Sequence, residues 1–347
     1  MYPRDLGFWM PAEWNTHQRT FISWPVQSSM VYPGDYHAVC RGYGQIVDAV
    51  AEFEPVTVLV DPGDRDLVKN FISALDITFL EIKHNDSWLR DNGPTFVVNQ
   101  AGDVAGINWR FNAWGGKYQP WDLDDLVAPA LLEHLQLRRF DAPLVMEGGS
   151  IHVDGQGTLL TTEECLLNPN RNPHLSRAEI EACLGRYLGI EKVIWLKRGL
   201  SGDETDGHVD NVAAFAAPGR ILLQVCDDPA QENFVITCEN MEILERAQDA
   251  RGRRLEIITV PQPPVQSYKG ISLTLSYLNF YFVNGGIILP VFGGSAAETD
   301  RQALEVMQGT FPERRIAAVD GMAIIREGGN VHCMTQQMPA ALRNGAD

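Results

Sequence analysis

The chain has 347 residues, 45% of them hydrophobic, and a formal net charge of -17, which is enough apolar material for a large core. The charge disfavours a nucleic-acid-binding surface and docking on anionic membranes, and it suits a cationic ligand. No apolar run approaches membrane-spanning length, MYPRDLGFWMPAEW has no basic-then-apolar leader, and the six cysteines are scattered without CxxC pairs, so a reducing cytoplasm and no structural zinc are expected.

In chain order, one pattern of strand, strand, helix, strand recurs. Its first copy is expected as strands over 95–98 and 104–111, a helix over 123–137 and a strand over 144–146. The second has strands over 150–153 and 158–162, a helix over 177–188 and a strand over 192–196, with Ser176 and Glu179 as a capping box. The third runs through 211–215, 220–225, a helix over 232–250 and 255–260; the fourth through 277–283, 286–290, a helix over 300–311 and 315–319. A fifth copy requires both chain ends: 331–335, then 20–24, a helix over 37–53 and 56–60. Units repeating at roughly 60 residues and closed by the termini predict an α/β fold, a five-bladed α/β propeller of pseudo-symmetric units. With no Pro/Ser-rich linker, a single domain over 1–347 is expected.

The most polar motifs fall at the joints between units. NDSWLRDNGP (85–94) precedes the first, MEGGS (146–150) and GDETDGHVDN (202–211) flank the second, and GGNVHC (328–333) separates the fourth from the fifth. In a ring every joint faces one axis, which brings Asp91, Glu147, His208, Asp210 and Cys333 together. Cys333 lies in a segment too polar for a core and too rich in glycine for a helix. Residues 332–336 alternate as a strand does, turning His332 away from Cys333, and the same alternation sets His208 and Asp210 on one strand face.

A thiol, a histidine and several carboxylates suit a guanidinium, whose fork of N–H donors matches carboxylate oxygens. Its delocalised charge makes its carbon a poor electrophile, so a strong nucleophile is required. In this reading Cys333 attacks, His208 protonates the leaving nitrogen and later deprotonates water, Glu147 orients His208, and Asp91 and Asp210 hold the cation. An ordinary thiol, with pKa ~8.5, is mostly protonated at neutral pH, so the bound cation is expected to complete its activation. Trp88 and Trp114 sit in polar, glycine-containing loops as candidate cation platforms. Blander readings make Cys333 a small core hydrophobe, Asp91 a turn acid beside Arg90, and both tryptophans core residues.

Together with MPAEWNTHQRTFISWP, FNAWGGKY, EGGSIHVDGQGT and SYLNFYFVNGGIILPVFG, these motifs resemble, in content and order, the signatures of the agmatine deiminases. That family belongs to the guanidino-group-modifying superfamily, which includes bacterial peptidylarginine deiminases. The resemblance spans almost the whole chain. It implies a five-bladed α/β propeller, no metal or organic cofactor, and a covalent amidino-thiol on Cys333, with His208 as acid/base, Glu147 as its partner, and Asp91 and Asp210 as guanidinium ligands. It also implies that Trp88 and Glu204 line the pocket; Glu204 is assigned here to a distal amine. The expected activity is conversion of agmatine and water to N-carbamoylputrescine and ammonia, a step in polyamine metabolism. Free arginine, peptidyl arginine, and a catalytically silent binding propeller are the alternatives, and a homo-oligomer is left open. Two positions depart from the family pattern: Asn330 stands where a third glycine is usual, and Asp206 where asparagine is common. Asp206 is expected to add negative charge near the pocket and so to bear on which cation fits.

Overall fold

The structure is a computed structural model describing residues 1–341. It is a mixed α/β fold in which five small sheets share one connectivity. Thr95–Val98 pairs antiparallel with Val104–Arg110, and the helix Val127–His134 returns the chain to Arg138–Val145, parallel to Val104–Arg110. The order repeats in His152–Val153, Thr158–Thr162, the helix Arg177–Leu188 and Lys192–Leu196. It repeats again in Ala213–Ala217, Arg220–Val225, the helix Glu232–Arg246 and Glu256–Pro261. The fourth copy is Tyr281–Val283, Gly286–Val291, the helix Ala297–Thr310 and Arg315–Asp320. In the fifth sheet Thr335–Pro339 pairs antiparallel with His17–Ser23, which lies parallel to Val56–Val60 across the helix Tyr36–Ala51. A fourth strand, Ile77–Glu81, extends this sheet beyond the sequence expectation.

The second and third strands of each unit are parallel and need a crossover, which the helix supplies. Middle strands are covered on both faces, so they read as continuous apolar runs: Ile221, Leu222 and Leu223, and Ile287, Ile288 and Leu289, are all fully buried. The helix Arg177–Leu188 keeps its expected bounds because both ends are marked. The Ser176 side chain accepts from the Glu179 backbone N–H, the Glu179 carboxylate accepts from the Ser176 N–H at 2.8 Å, and Gly189 at φ 73° ends the helix.

Several expected boundaries are corrected. The strand placed over 144–146 is Arg138–Val145, because the helix stops at His134 and Gln136 adopts a left-handed φ of 54°. Phe140, Ala142 and Leu144 then alternate buried with exposed neighbours, the period-2 pattern of a strand. The strand expected over 331–335 begins only at Thr335; Val331–Met334 is one helical turn capped by Asn330. The strand expected over 150–153 shortens to His152–Val153 behind the turn Gly148–Ser150, and that over 211–215 shifts to Ala213–Ala217 behind the turn Val209–Asn211. His208 and Asp210 therefore share a turn rather than a strand face. The strand expected over 277–283 keeps only Tyr281–Val283, and the helix expected to 250 ends at Arg246. Turns of three or four residues are shorter than any periodic signal, so sequence pattern absorbs them into the adjoining strand.

Candidate active site

The chemistry-bearing residues sit on the short segments that lead into the first strand of each unit. Asp91 lies in the turn Leu89–Asn92, Glu147 just before the turn Gly148–Ser150, Asp210 within Val209–Asn211 with His208 immediately before it, and Cys333 within Val331–Met334. The remaining unit contributes Asn279, two residues before Tyr281–Val283. Such segments can aim a side chain off the sheet end while the strand behind them stays rigid.

Two glycines let these joints meet. A Cβ on Gly148 would lie 2.1 Å from the Arg90 carbonyl oxygen, so only glycine permits this packing of two joints. A Cβ on Gly149 would lie 2.6 Å from His208 Nδ1, 2.8 Å from Asp210 Oδ2 and 2.9 Å from Asp91 Oδ1. Three of the expected site residues therefore converge on the space beside one backbone atom. Gly149 N–H also donates to Asp91 Oδ1 at 2.9 Å, and Trp114 Nε1–H donates to Asp91 Oδ2 at 2.9 Å, so both carboxylate oxygens are fixed. Trp114 reaches Asp91 from a left-handed run, Ala113 (φ 52°), Trp114 (φ 54°), Gly115 and Gly116. Asn112 Oδ1, accepting from Gly115 N–H at 2.8 Å, stabilises that run. A left-handed tryptophan is strained by about 1–3 kcal/mol, a cost that packing must hold in place.

Cys333 is buried, its Sγ lying 3.9 Å from Asp210 Oδ2 and accepting from Asn279 Nδ2–H at 3.2 Å. Burial pushes the thiol well above its ordinary range, and the Asp210 and Asp91 charges push the same way. The helical turn, rather than a strand, sends the neighbouring His332 into a buried line of charges. Its Nδ1 is 2.8 Å from Asp210 Oδ2 and its Nε2 is 2.8 Å from Glu13 Oε2. Arg90 lies 3.6 Å from the same Glu13 oxygen. Burial and Arg90 oppose protonation of His332, but Glu13 and Asp210 prevail and raise its pKa. Asp210 Oδ2 is thus occupied, while Oδ1 is buried without a partner among the described residues.

His208 is fully buried between carboxylates: Nδ1 is 3.8 Å from Asp91 Oδ1 and Nε2 is 3.7 Å from Glu147 Oε2. These separations exceed hydrogen-bond length, so Glu147 acts on His208 through its charge rather than by a direct bond. Burial works against the imidazolium, yet Asp91, Cys165 and Glu147 together raise the His208 pKa well above its ordinary value. Asp91 itself is raised, by burial first, with Asp210 and Glu147 adding to it and His208 opposing. Glu147 stays below the usual carboxylate range despite its burial because of His208 and Arg171, whose Nε–H donates to Oε1 at 2.7 Å. Both ring nitrogens of His208 are buried and without a hydrogen-bond partner among the described residues. Unpaired buried polar atoms cost about 1–3 kcal/mol each, and as an imidazolium His208 offers both ring N–H groups as donors, which the flanking carboxylates stabilise through their charge. Among the described residues, Glu147, Cys165 and His208 also place three potential metal-ligand atoms within 4.8 Å of one another, although Arg171 already puts a positive charge on Glu147.

A pocket with about 640 Å³ of empty space, counting its open mouth, leads to Cys333 and Asp91. Trp88, Trp114, Tyr118, Asp86, Glu204 and Glu327 line it, and Asp210, 3.9 Å from the Cys333 sulfur, and His208, 3.8 Å from Asp91, adjoin its inner end. Trp88 lies so close that a Cβ on Gly329 would sit 2.4 Å from its ring. Tyr118 donates its hydroxyl to Glu204 Oε2. Asp206 does not add free charge to the pocket as the sequence suggested. Its Oδ1 is 2.6 Å from Lys117 Nζ and its Oδ2 accepts from Arg171 Nη1–H at 2.7 Å and Asn170 Nδ2–H at 2.9 Å. Asn330, the other departure, caps the Cys333 turn at φ -145°, a backbone that needs no glycine.

Sequence reasoning missed Asn279, Glu13, Arg171, Tyr118 and Lys117. Asn279 carried a usable signal, since four units had a polar joint and the fourth, SYLNFYF, was left without a residue.

The family profile of the Porphyromonas-type peptidyl-arginine deiminases matches residues 9–339. An agmatine deiminase of Pseudomonas aeruginosa is 44% identical over 361 residues, covering 97% of each chain. The solved structure of an agmatine deiminase of Enterococcus faecalis superposes with a TM-score of 0.94 at 36% identity, covering 98% of each chain. A C. jejuni agmatine deiminase with substrate bound gives a TM-score of 0.88 at 28% identity over 97% of each chain. With a profile match and whole-length relatives that agree, this chain belongs to the Porphyromonas-type peptidyl-arginine deiminase family.

Proposed function

We propose that this protein is an agmatine deiminase, a hydrolase converting agmatine and water to N-carbamoylputrescine and ammonia. The observation that carries the choice of substrate is the pocket lining. Four carboxylates, Asp86, Asp91, Glu204 and Glu327, contribute to it, with no lysine or arginine among the described lining residues. Arginine is agmatine with a carboxylate on the carbon that bears the amine, and that carboxylate finds no lysine or arginine among the described lining residues. A mismatch of this kind costs several kcal/mol at a desolvated site and disfavours arginine. The relatives named as agmatine deiminases support the same reading.

In the proposed reaction Asp91 and Asp210 Oδ1 accept from the guanidinium N–H groups and hold its carbon against Cys333 Sγ. The cation lowers the thiol pKa, the thiol proton leaves to solvent, and sulfur attacks the carbon to give a tetrahedral adduct. His208, already an imidazolium, gives its proton to one nitrogen; the C–N bond breaks and ammonia departs, leaving an amidino-thiol. Neutral His208 then takes a proton from water as its oxygen attacks the same carbon. Collapse expels the thiolate, the proton on the adduct's hydroxyl passes to the sulfur, and an uncharged ureido group and the resting thiol result. Glu147, anchored by Arg171, stabilises the imidazolium; Trp88 flanks the cation, Trp114 holds Asp91, and Glu204 receives the distal amine. No metal or organic cofactor takes part in these steps.

The architecture we infer is a single domain over 1–347, of which 342–347 lie outside the described residues, with its five sheets as blades around an axis. The repeated connectivity, the pairing of Thr335–Pro339 with His17–Ser23 and the meeting of five joints at one site support this. A cytoplasmic role in polyamine biosynthesis, acting on a small cationic guanidine, accords with the acidic composition and the absence of a helix able to cross a membrane among the described residues. The test is ammonia release from agmatine, arginine and a peptidyl arginine, with intact-mass detection of an adduct lost in Cys333→Ala. Turnover of arginine or the peptide without turnover of agmatine would refute the substrate assignment.

A further inference from the structure

Lys117 is a basic side chain beside the acidic pocket wall. Its ammonium donates to the backbone carbonyl of Glu204, whose carboxylate lines the pocket, and the next residue, Tyr118, lines it too. Nothing in the backbone prevents so flexible a side chain from presenting its charge to a ligand beside Glu204. What holds it is Asp206 Oδ1 at 2.6 Å, with the Lys117 side chain 32% and that of Asp206 19% exposed. Asp206 is itself fixed on its other side by Arg171 and Asn170. It occupies a left-handed conformation, φ 63°, which aspartate and asparagine tolerate better than other side-chain-bearing residues.

We propose that Asp206 is a specificity-determining residue: by pairing with Lys117 it keeps that ammonium out of the pocket and so denies a carboxylate-bearing guanidine its counter-ion. The proposal rests on the agmatine reading and deepens it. The amine of either substrate is four carbons from the guanidino nitrogen, so Glu204 can serve both; only the added carboxylate distinguishes arginine. Withholding a cation therefore adds to the selection that the pocket carboxylates already make against arginine. A neutral residue at 206 still accepts a hydrogen bond but no longer neutralises Lys117, which is then free to meet the carboxylate. Because Asp206 also touches Arg171, its substitution is expected to lower turnover generally, and the ratio between substrates is the informative quantity.

The experiment compares kcat/KM for agmatine and arginine in wild type, Asp206→Asn, Lys117→Met and the double variant. The arginine-to-agmatine ratio should rise roughly tenfold in Asp206→Asn, the worth of one charge-assisted contact, return to the wild-type value in the double variant, and stay within about twofold of wild type in Lys117→Met. An unchanged ratio in Asp206→Asn, or a raised ratio that persists in the double variant, overturns the proposal. So does a ratio that falls in Lys117→Met, since Lys117 would then already serve arginine. If Asp206→Asn turns over too slowly, calorimetric affinities of both ligands in a Cys333→Ala background read the same ratio without chemistry. Failure of wild type to act on agmatine would instead sink the functional reading and is seen in the first arm alone.

Discussion

Replacing Gly149 by alanine puts one methyl group at the point where the site converges. Its carbon would lie 2.6, 2.8 and 2.9 Å from His208 Nδ1, Asp210 Oδ2 and Asp91 Oδ1, short of an ordinary 3.4 Å contact by 0.8, 0.6 and 0.5 Å. Gly149 is not in the left-handed region, so alanine fits its backbone, and its N–H can still donate to Asp91. The cost therefore falls on side-chain placement. Misplacing reacting groups by up to ~1 Å costs about 10²-fold in rate, and with three groups displaced together kcat/KM for agmatine should fall by roughly 10²–10³-fold. Overpacking of about 1–3 kcal/mol lowers Tm by a few degrees without unfolding the protein. Steady-state ammonia release and a thermal melt monitored by circular dichroism check both. A folded Gly149→Ala protein within threefold of wild-type activity would refute the convergence of Asp91, His208 and Asp210 on the reacting centre.

Trp114→Phe keeps the aromatic face but removes the 2.9 Å bond to Asp91 Oδ2. A hydrogen bond to a buried charge contributes about 1.5–3 kcal/mol, so kcat/KM should drop roughly 10- to 100-fold; a loss below threefold means the indole N–H does not position Asp91. Alkylation of Cys333 followed by mass mapping across pH should give an apparent pKa above the ordinary ~8.5 in the free protein, and a lower one with an unreactive guanidinium ligand present; the reverse order would contradict substrate-completed activation. Burial, with Asp124 adding to it, raises Asp86 from 3.8 to about 7. A carboxyl whose folded pKa is raised contributes stability fully present below its unfolded pKa of 3.8 and lost as pH rises through about 7. Asp86→Asn should therefore raise Tm by about 2–4 °C at pH 8 and leave it unchanged or lower at pH 4, with partial exposure limiting the gain. An equal effect at both pH values would show that ionisation of Asp86 is not the cause.

Those parts of the fold with a period or a cap were legible. Arg177–Leu188 is bounded by Ser176, Glu179 and Gly189, and strands such as Gly286–Val291 and Arg220–Val225 are largely apolar runs between breakers. Arg138–Val145 was hidden because its exposed Arg138 and Arg139 prolong the polar face of the preceding helix in sequence, and only the left-handed Gln136 separates them. At the site, the residue types announced themselves by occurring at joints, while the geometry did not. Strand alternation was the wrong local picture for His208, Asp210 and Cys333, each of which lies on or beside a helical turn. That error also misjudged His332, whose imidazole belongs to the Glu13 and Asp210 line. Asp206 was misread for a different reason: a sequence displays a formal charge, but whether it is free depends on partners such as Lys117 and Arg171 that arrive from distant segments.

The protonation pattern gives the proposed reaction a direction. Asp210 Oδ2 lies 3.9 Å from Cys333 Sγ, and Asp210 and Asp91 both add to the burial that keeps the thiol protonated. The same two carboxylates are the groups suited to a guanidinium. Until a cation binds, they suppress the nucleophile; once it binds, its charge offsets theirs and the thiol can ionise against the carbon it will attack. His208 needs no proton from the thiol for this, because Asp91 and Glu147 already hold it as an imidazolium, ready to release ammonia. The ureido group of the product is uncharged. When it forms, the charge offsetting Asp91 and Asp210 disappears, those carboxylates again favour the protonated thiol, and the product is held at its reacting end by neither ion pairing nor a nucleophile, keeping only its distal ammonium.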